Sequence, residues 1–266
     1  MVDIMHARAS SGVYGFDKRD LTWTTTEKSG MQLAPVRANR EEGQYLGYLK
    51  FDSFTETGLH QHLGPAFSYF LDGGLADYQG FARAGEVGIN LAGATHSAIA
   101  YAPTLMASRL EAPVIYPSED SVKGETLHTG ATAGEIVNEN PEVLPDINVF
   151  LDDLEWLGTG YAGVQRRPVF DYTQTEFNRR HLQLRLLPST QVPAFHAGGG
   201  IDVFIIGGDL KVGNETRIAG DFFVIEEGAL VEFSTQFGAL FLAWSEGRSL
   251  WVNASASDFW GFPAMG

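Results

Sequence analysis

Apolar residues recur along this chain in short runs of four to seven, separated by Gly- and Pro-containing turns about ten residues apart. Residues 45–54 alternate, with Tyr48, Lys50 and Asp52 on one side, the pattern of a strand with one face buried. Apolar runs at 67–71 and 75–81 flank Gly73-Gly74 and read as a hairpin. Further strands are predicted at 86–91, 97–101 and 105–110. In the second half they fall at 181–187, 202–206, 222–225, 230–233 and 239–244. No apolar period of 3.6 persists for three turns, so no long amphipathic helix is expected. Many short strands with closely spaced turns predict an all-β closed barrel or sandwich.

The pattern occurs twice. Residues 57–75 read TGLHQHLGPAFSYFLDGGL, and residues 191–209 read QVPAFHAGGGIDVFIIGGD. An offset of 134 lays His196 on His62, Gly198 on Gly64, Phe204 on Phe70 and Gly207-Gly208 on Gly73-Gly74. At an offset of 135, Ala84-Gly85-Glu86 falls on Ala219-Gly220-Asp221. At 133, Asp20-Leu21-Thr22-Trp23 falls on Asp153-Leu154-Glu155-Trp156, and Pro35-Val36 on Pro168-Val169. A period near half the chain is too long for a solenoid and indicates a duplicated domain. The expected organisation is an N-terminal arm at 1–19, a first barrel at 20–116, a linker at 117–149, a second barrel at 150–250 and an aromatic tail at 251–266. The linker is rich in Gly, Pro, Ser, Thr and Glu. The tail carries Trp251, Phe259, Trp260 and Phe262, a density of aromatics expected to pack on a neighbouring domain or subunit.

Composition narrows the chemistry. The chain carries 33 acidic and 18 basic residues, a net charge of −15, which repels the phosphates of nucleic acid. No apolar run reaches the ~18 residues of a membrane span, and the first residues lack a signal-peptide core. A cytoplasmic protein that binds neither nucleic acid nor membrane is expected. There are no cysteines, which rules out disulfides and thiolate metal sites. No Gly-x-Ser-x-Gly elbow, phosphate loop or dinucleotide fingerprint is present. Barrels with exposed strand edges also lead us to expect a homodimer.

The candidate chemistry lies in His60, His62 and His96. Side chains at i and i+2 of a strand share a face, so His60 and His62 can point into one cavity. His96 follows in GEVGINLAGATHS. Three imidazoles without a thiolate suit one divalent transition metal. In the second repeat, the offset of 134 sets Ala194 and His196 against His60 and His62, and Val231 stands in for His96. That repeat reads as a degenerate barrel kept for packing or assembly. Glu56, Asp72, Glu86, Arg109, His6 and His181 read as structural or solvated, His128 as a loop histidine, and the acids of 119–142 as a solvated loop.

These motifs resemble the cupin superfamily. His60-Gln61-His62 and Gly73-Gly74 match the centre and end of the first cupin motif, and Gly85, Gly93 and His96 match part of the second. HQHLGPAFSYFLDG followed by ARAGEVGINLAGATHS is similar to the group containing acetylacetone dioxygenase, 2,4′-dihydroxyacetophenone dioxygenase and anti-sigma-factor-type cupins. The lead-ins at Trp23 and Trp156 share that likeness. The sequence departs from the general motif in four places. Phe54 stands at the leading glycine, Ala66 or Phe67 at the glutamate, Leu91 at the proline and Ala100 at the asparagine. Without the glutamate, the resemblance implies a site of histidines alone, as in cupin dioxygenases that hold iron this way.

The resemblance therefore implies two tandem cupin-type β-barrels of jelly-roll form. It implies one metal ion on His60, His62 and His96, Fe(II) in the cell, with zinc or nickel able to substitute. The implied reaction is cleavage of a C–C bond in a small β-dicarbonyl or hydroxyketone by dioxygen. The alternative is a non-catalytic metal- or small-molecule-binding sensor of the anti-sigma-factor type. No catalytic residue beyond the ligands, and no cofactor beyond the metal, is read from the sequence.

Overall fold

The computed structural model describes residues 3–4, 11–78, 80–116, 146–171, 179–253 and 260. Among them the regular elements are antiparallel strands and one 3₁₀ turn, Leu151–Asp153. The chain divides into two units. One comprises Met1–Met5 and Leu21–Leu151, and the other His6–Asp20 and Asp152–Gly266.

The main sheet of the first unit runs in the order Asp3–Ile4, Met31–Asn39, Gln44–Phe51, Thr104–Leu110, Ala66–Asp72, Glu86–Asn90, Asp146–Phe150. A second sheet orders Gly80–Arg83, Gly74–Asp77, Ile99–Ala100 and Thr55–Glu56, and a short third sheet sets His60–His62 between Thr95–His96 and Val114–Ile115. The second unit repeats the plan. Its main sheet is Leu157–Gly158, Val164–Asp171, Arg179–Leu186, Ala239–Glu246, Ile201–Val212, Phe222–Ile225, Val13–Phe16, and its short sheet sets Phe195–His196 between Leu230–Val231 and Leu250–Trp251. Each unit is thus a jelly-roll barrel of the same topology, and the all-β duplication read from the sequence is correct.

The irregularities are duplicated as well. A β-bulge at Val36, between Pro35 and Arg37, has its counterpart at Val169, between Pro168 and Phe170. A bulge at Leu71 has its counterpart at Ile206. Bulges fix register and twist, so two shared bulges mark a common ancestor strand by strand. The hairpin after each second bulge is closed alike: Ala84 N–H donates to Gly73 O at 3.2 Å, and Ala219 N–H to Gly208 O at 3.2 Å. Both glycines are left-handed, at φ 66° and 78°. A Cβ on either would lie 2.3 Å from Pro103 O or 1.8 Å from Gly238 O. Only glycine fits there.

The hydrogen bonds correct the register of the repeat around the histidines. Gly93 N–H donates to His62 O at 2.8 Å, and Gly228 N–H to Ala197 O at 2.8 Å. His96 pairs with His60, and Val231 with Phe195. The offset in this stretch is therefore 135, not 134, and His62 falls on Ala197. His196 falls on Gln61 and is exposed. A slip of one residue inverts every side chain in a strand, so the sequence match of the two histidines is accidental.

Three expected boundaries also change. Val13–Phe16, placed by the sequence in an arm, is the last strand of the second unit's main sheet, pairing with Phe222–Ile225. Asp146–Phe150, whose first residues were expected in the linker, pairs with Glu86–Asn90 in the first unit. Residues 117–145 lie outside the described residues. In the tail, Trp251 belongs to a strand, and Trp260 is fully buried in the second unit's core. The Trp260 indole N–H donates to Ser249 Oγ at 2.9 Å. Phe259 and Phe262 lie outside the described residues.

In the second unit, Ile201, Val203 and Ile205 enter one core with Leu182, Leu184, Phe223, Phe241 and Phe233. Asp202 and Phe204, on the opposite face, are buried too. A strand shielded on both faces shows a continuous apolar run and weak alternation.

The two glycine environments yield a stability prediction. Gly208→Ala should cost roughly 3 kcal/mol through strain and collision with Gly238. Gly213→Ala, at φ 58° with open space around it, should cost only about 1 kcal/mol. Urea midpoints of the two variants measure the difference.

Candidate metal centre

His60 and His62 lie on the central strand of the first unit's short sheet, and His96 on the strand beside it, directly across from His60. Strand pleating turns the two outer residues of His-Gln-His to one side, and cross-strand pairing brings the third ring over them. The intervening Gln61 points the other way, donating to Thr95 Oγ1 at 3.1 Å. The three imidazoles are 7%, 6% and 8% exposed. Their ring centroids are 4.6–5.3 Å apart. One ligand atom from each lies within 4.8 Å of the others.

The surroundings choose which nitrogen faces inward. Gly58 O can only accept, so His60 Nδ1, 2.8 Å away, carries the proton and leaves Nε2 with a lone pair. Asp77 Oδ2 lies 3.1 Å from His96 Nδ1 and fixes that ring in the same way. His96 Nε2 then faces His62 Nε2 at 3.3 Å. Two imidazole nitrogens bound to one ion at 2.0–2.1 Å would stand roughly 3 Å apart, so this separation suits a shared cation. Gly58 is left-handed at φ 68°, and this turn aims its carbonyl back at His60.

Electrostatics hold His60 and His62 neutral. Burial, with the neighbouring His96, pushes His60 down to about 3, and the Gly58 carbonyl only partly offsets this. Burial, with His60 and His96, lowers His62 well below the ordinary histidine value. Neutral imidazole is the form that binds metal. Three nitrogen donors with no thiolate or carboxylate among them fit a divalent transition ion. Such an ion would be held by His60, His62 and His96, with its remaining positions open to water or ligand.

Two more side chains stand at this site. Tyr116 lies with its ring 6.1 Å from that of His60, and Lys28 Nζ lies 4.3 Å from the centre of the Tyr116 ring. Partial burial lowers the Lys28 ammonium's pKa. Lys28, Tyr116 and Asp77 went unrecognised in the sequence. They come from three separate segments with no local motif, and only the closure of the barrel gathers them. The other polar residues near the motifs do not enter the cluster. Glu86 is buried against Arg83, whose Nε–H donates to it at 2.9 Å, and Arg109 pairs with Glu111. Glu56 and Asp72 are exposed.

The second unit has Phe195, Ala197 and Val231 at the three equivalent positions, all essentially buried. Phe195 packs edge-on against Phe233 at 5.6 Å and touches Trp251 and Trp260. An aromatic ring, Phe195, stands at the position of His60, with Ala197 and Val231 at those of His62 and His96. The equivalents read from the sequence, Ala194 and His196, are replaced by this register. His196 bonds only outside the core, through Nδ1 to Gly228 O at 3.1 Å.

The neutral state of His60 and His62 sets a proton count. At pH 6, three ordinary imidazoles would release roughly two protons on binding a divalent ion. Here the depressed values mean that two of the rings have no proton to release at that pH. The buffer dependence of the calorimetric binding enthalpy at pH 6 should therefore give about one proton or fewer per zinc.

Comparison with known proteins places this geometry. Residues 11–111 match the model of the ChrR cupin-like domain. A search of curated proteins by sequence gave no match. Among solved structures, a candidate dioxygenase from Nostoc punctiforme PCC 73102 aligns with a TM-score of 0.71 at 10% identity, covering 94% of this chain and 88% of that one. Lactobacillus farciminis oxalate decarboxylase aligns at 0.59 and 14%, covering 93% and 90%. Salicylate 1,2-dioxygenase of Pseudaminobacter salicylatoxidans aligns at 0.57 and 14%, covering 77% and 71%. At such identities the likeness is one of fold. With the paired jelly-roll barrels and the His-x-His strand, the segment 11–111 is similar to the ChrR cupin-like domain, and the chain carries the cupin fold twice.

Proposed function

We propose that the protein is a metal-dependent cupin whose first barrel is a non-haem iron dioxygenase acting on a small β-dicarbonyl or hydroxyketone. One observation carries this reading: three buried imidazoles turn their nitrogens together in one barrel, while the same positions in its duplicate are apolar. Burying three polar rings where a Phe, Ala and Val would pack costs stability, a cost kept where the site is used. The solved dioxygenases of the same fold support the reaction class.

A divalent ion on the three histidines would supply Lewis acidity toward a chelating enolate and a place for dioxygen beside it. The chain's own residues supply the rest. His60, His62 and His96 contribute no charge, so the positive charge of the ion is left to favour an anionic substrate. The Gly58 carbonyl and the Asp77 carboxylate hold two of the rings at fixed orientation, which keeps the open side of the ion fixed as well. No helix among the described residues is long and apolar enough to cross a membrane. A homodimer remains part of the reading.

A second reading has its own support. The match to the ChrR cupin-like domain is equally met by a non-catalytic sensor that binds a metal or small molecule. Oxygen consumption separates the two. Protein loaded anaerobically with Fe(II) should take up oxygen with at least one β-dicarbonyl or aromatic hydroxyketone, and His62→Ala should abolish the uptake. Intact metal binding with no uptake across the panel selects the sensor.

A further inference from the structure

Lys28 makes no ion pair among the described residues; its Nζ lies over the Tyr116 ring. Lys28 occupies the turn between Thr24–Thr25 and Met31–Asn39, which hydrogen bonds of the backbone and of the Thr26 hydroxyl hold without the Lys28 side chain. Lys28 N–H donates to Thr26 Oγ1 at 3.1 Å, Met31 N–H to Lys28 O at 3.3 Å, and Asp52 N–H to Gly30 O at 2.8 Å. The side chain leaves this rigid base and runs to the metal centre. Its Nζ lies 3.0 Å from where a Cβ of Gly58 would stand, and Gly58 O is the atom that holds His60. The Tyr116 ring, which adjoins His60, lies under the ammonium. No carboxylate among the described residues pairs with it. Among the described residues this half-buried ammonium has no counter-ion, in a chain of net charge −15.

We propose that Lys28 is the anion-recognition residue of this site, and that the substrate carries a carboxylate in addition to the pair of oxygens that chelate the metal. The charges support this. A divalent ion on three neutral imidazoles, with Lys28 added and Asp77 subtracted, leaves two positive charges at the site. A simple enolate neutralises one of them. An enolate that also bears a carboxylate neutralises both, and its carboxylate can take a charge-assisted hydrogen bond from Nζ. The substrate class is therefore a β-dicarbonyl or hydroxyketone acid. Tyr116 positions Lys28 by the cation–π contact beside His60.

This inference rests on the metal-chelation reading above, and a matched pair of ligands tests it by binding alone. Anaerobic titration of the Fe(II)-loaded protein with 2,4-pentanedione and with 2,4-dioxopentanoate, followed calorimetrically, compares the same chelating group without and with a carboxylate. The native protein should bind the carboxylated ligand at least about tenfold more tightly. Lys28→Met should lose that preference, weakening 2,4-dioxopentanoate far more than 2,4-pentanedione. Lys28→Arg should keep most of it. Metal affinity should not fall in Lys28→Met, since the substitution removes a like charge from near His60; a merely structural lysine would weaken the metal site. Equal binding of the two ligands by the native protein, or an unchanged preference in Lys28→Met, overturns the assignment and leaves metal chelation standing. Binding of neither ligand by metal-loaded protein overturns both.

Discussion

A buried imidazole cannot carry a proton cheaply, and three of them in contact cannot carry protons at all without strong mutual repulsion. This constraint shapes the first barrel. His60, His62 and His96 sit where the core should close, so their nitrogens need partners that do not protonate them. Backbone and carboxylate oxygens take the outer nitrogens of His60 and His96. The inner nitrogens are left facing one another at a separation that suits a shared cation. Three features produce that arrangement: the strand pleat that pairs His60 with His62, the cross-strand register that adds His96, and the left-handed Gly58 that returns a carbonyl.

The second barrel shows what the same backbone does without the constraint. Its bulges, hairpin closure and strand order repeat those of the first. Phe195, Ala197 and Val231 replace the histidines, and Trp260 from the tail completes an aromatic core there. Apolar packing needs no partner nitrogen, no positioned carbonyl and no carboxylate. The scaffold is thus indifferent to the site, and the site is a local departure from the packing the scaffold would otherwise choose.

Much of this was legible in the sequence, for identifiable reasons. The duplication was visible because both halves keep a Gly-Gly pair, Gly73-Gly74 and Gly207-Gly208, although the structure sets Gly73 against Gly208. His60 and His62 were visible because i, i+2 spacing on a strand fixes a shared face, and His96 because its Gly-x-x-His spacing matches the second motif. The register of the second repeat was misread because His196 offered a chemically attractive match one residue out of step, and a residue type carries no information about which face it occupies. Val13–Phe16 and Asp146–Phe150 were missed as strands because each pairs with a sequence-distant partner at a sheet edge, a tertiary relation with no local signal. Asp77, Lys28 and Tyr116 were missed for the same reason. Trp260 was expected against a neighbour because aromatic density shows a need for burial but not its location.

The central claim is that the first barrel holds one divalent ion on three histidines and the second holds none. Elemental analysis of protein purified without chelators tests it most directly. The account predicts about one transition-metal ion per 29.0 kDa chain, lost in His62→Ala and retained in His196→Ala. A metal-free protein that takes up no iron, zinc or nickel when these are supplied, or one whose metal survives His62→Ala, would contradict it.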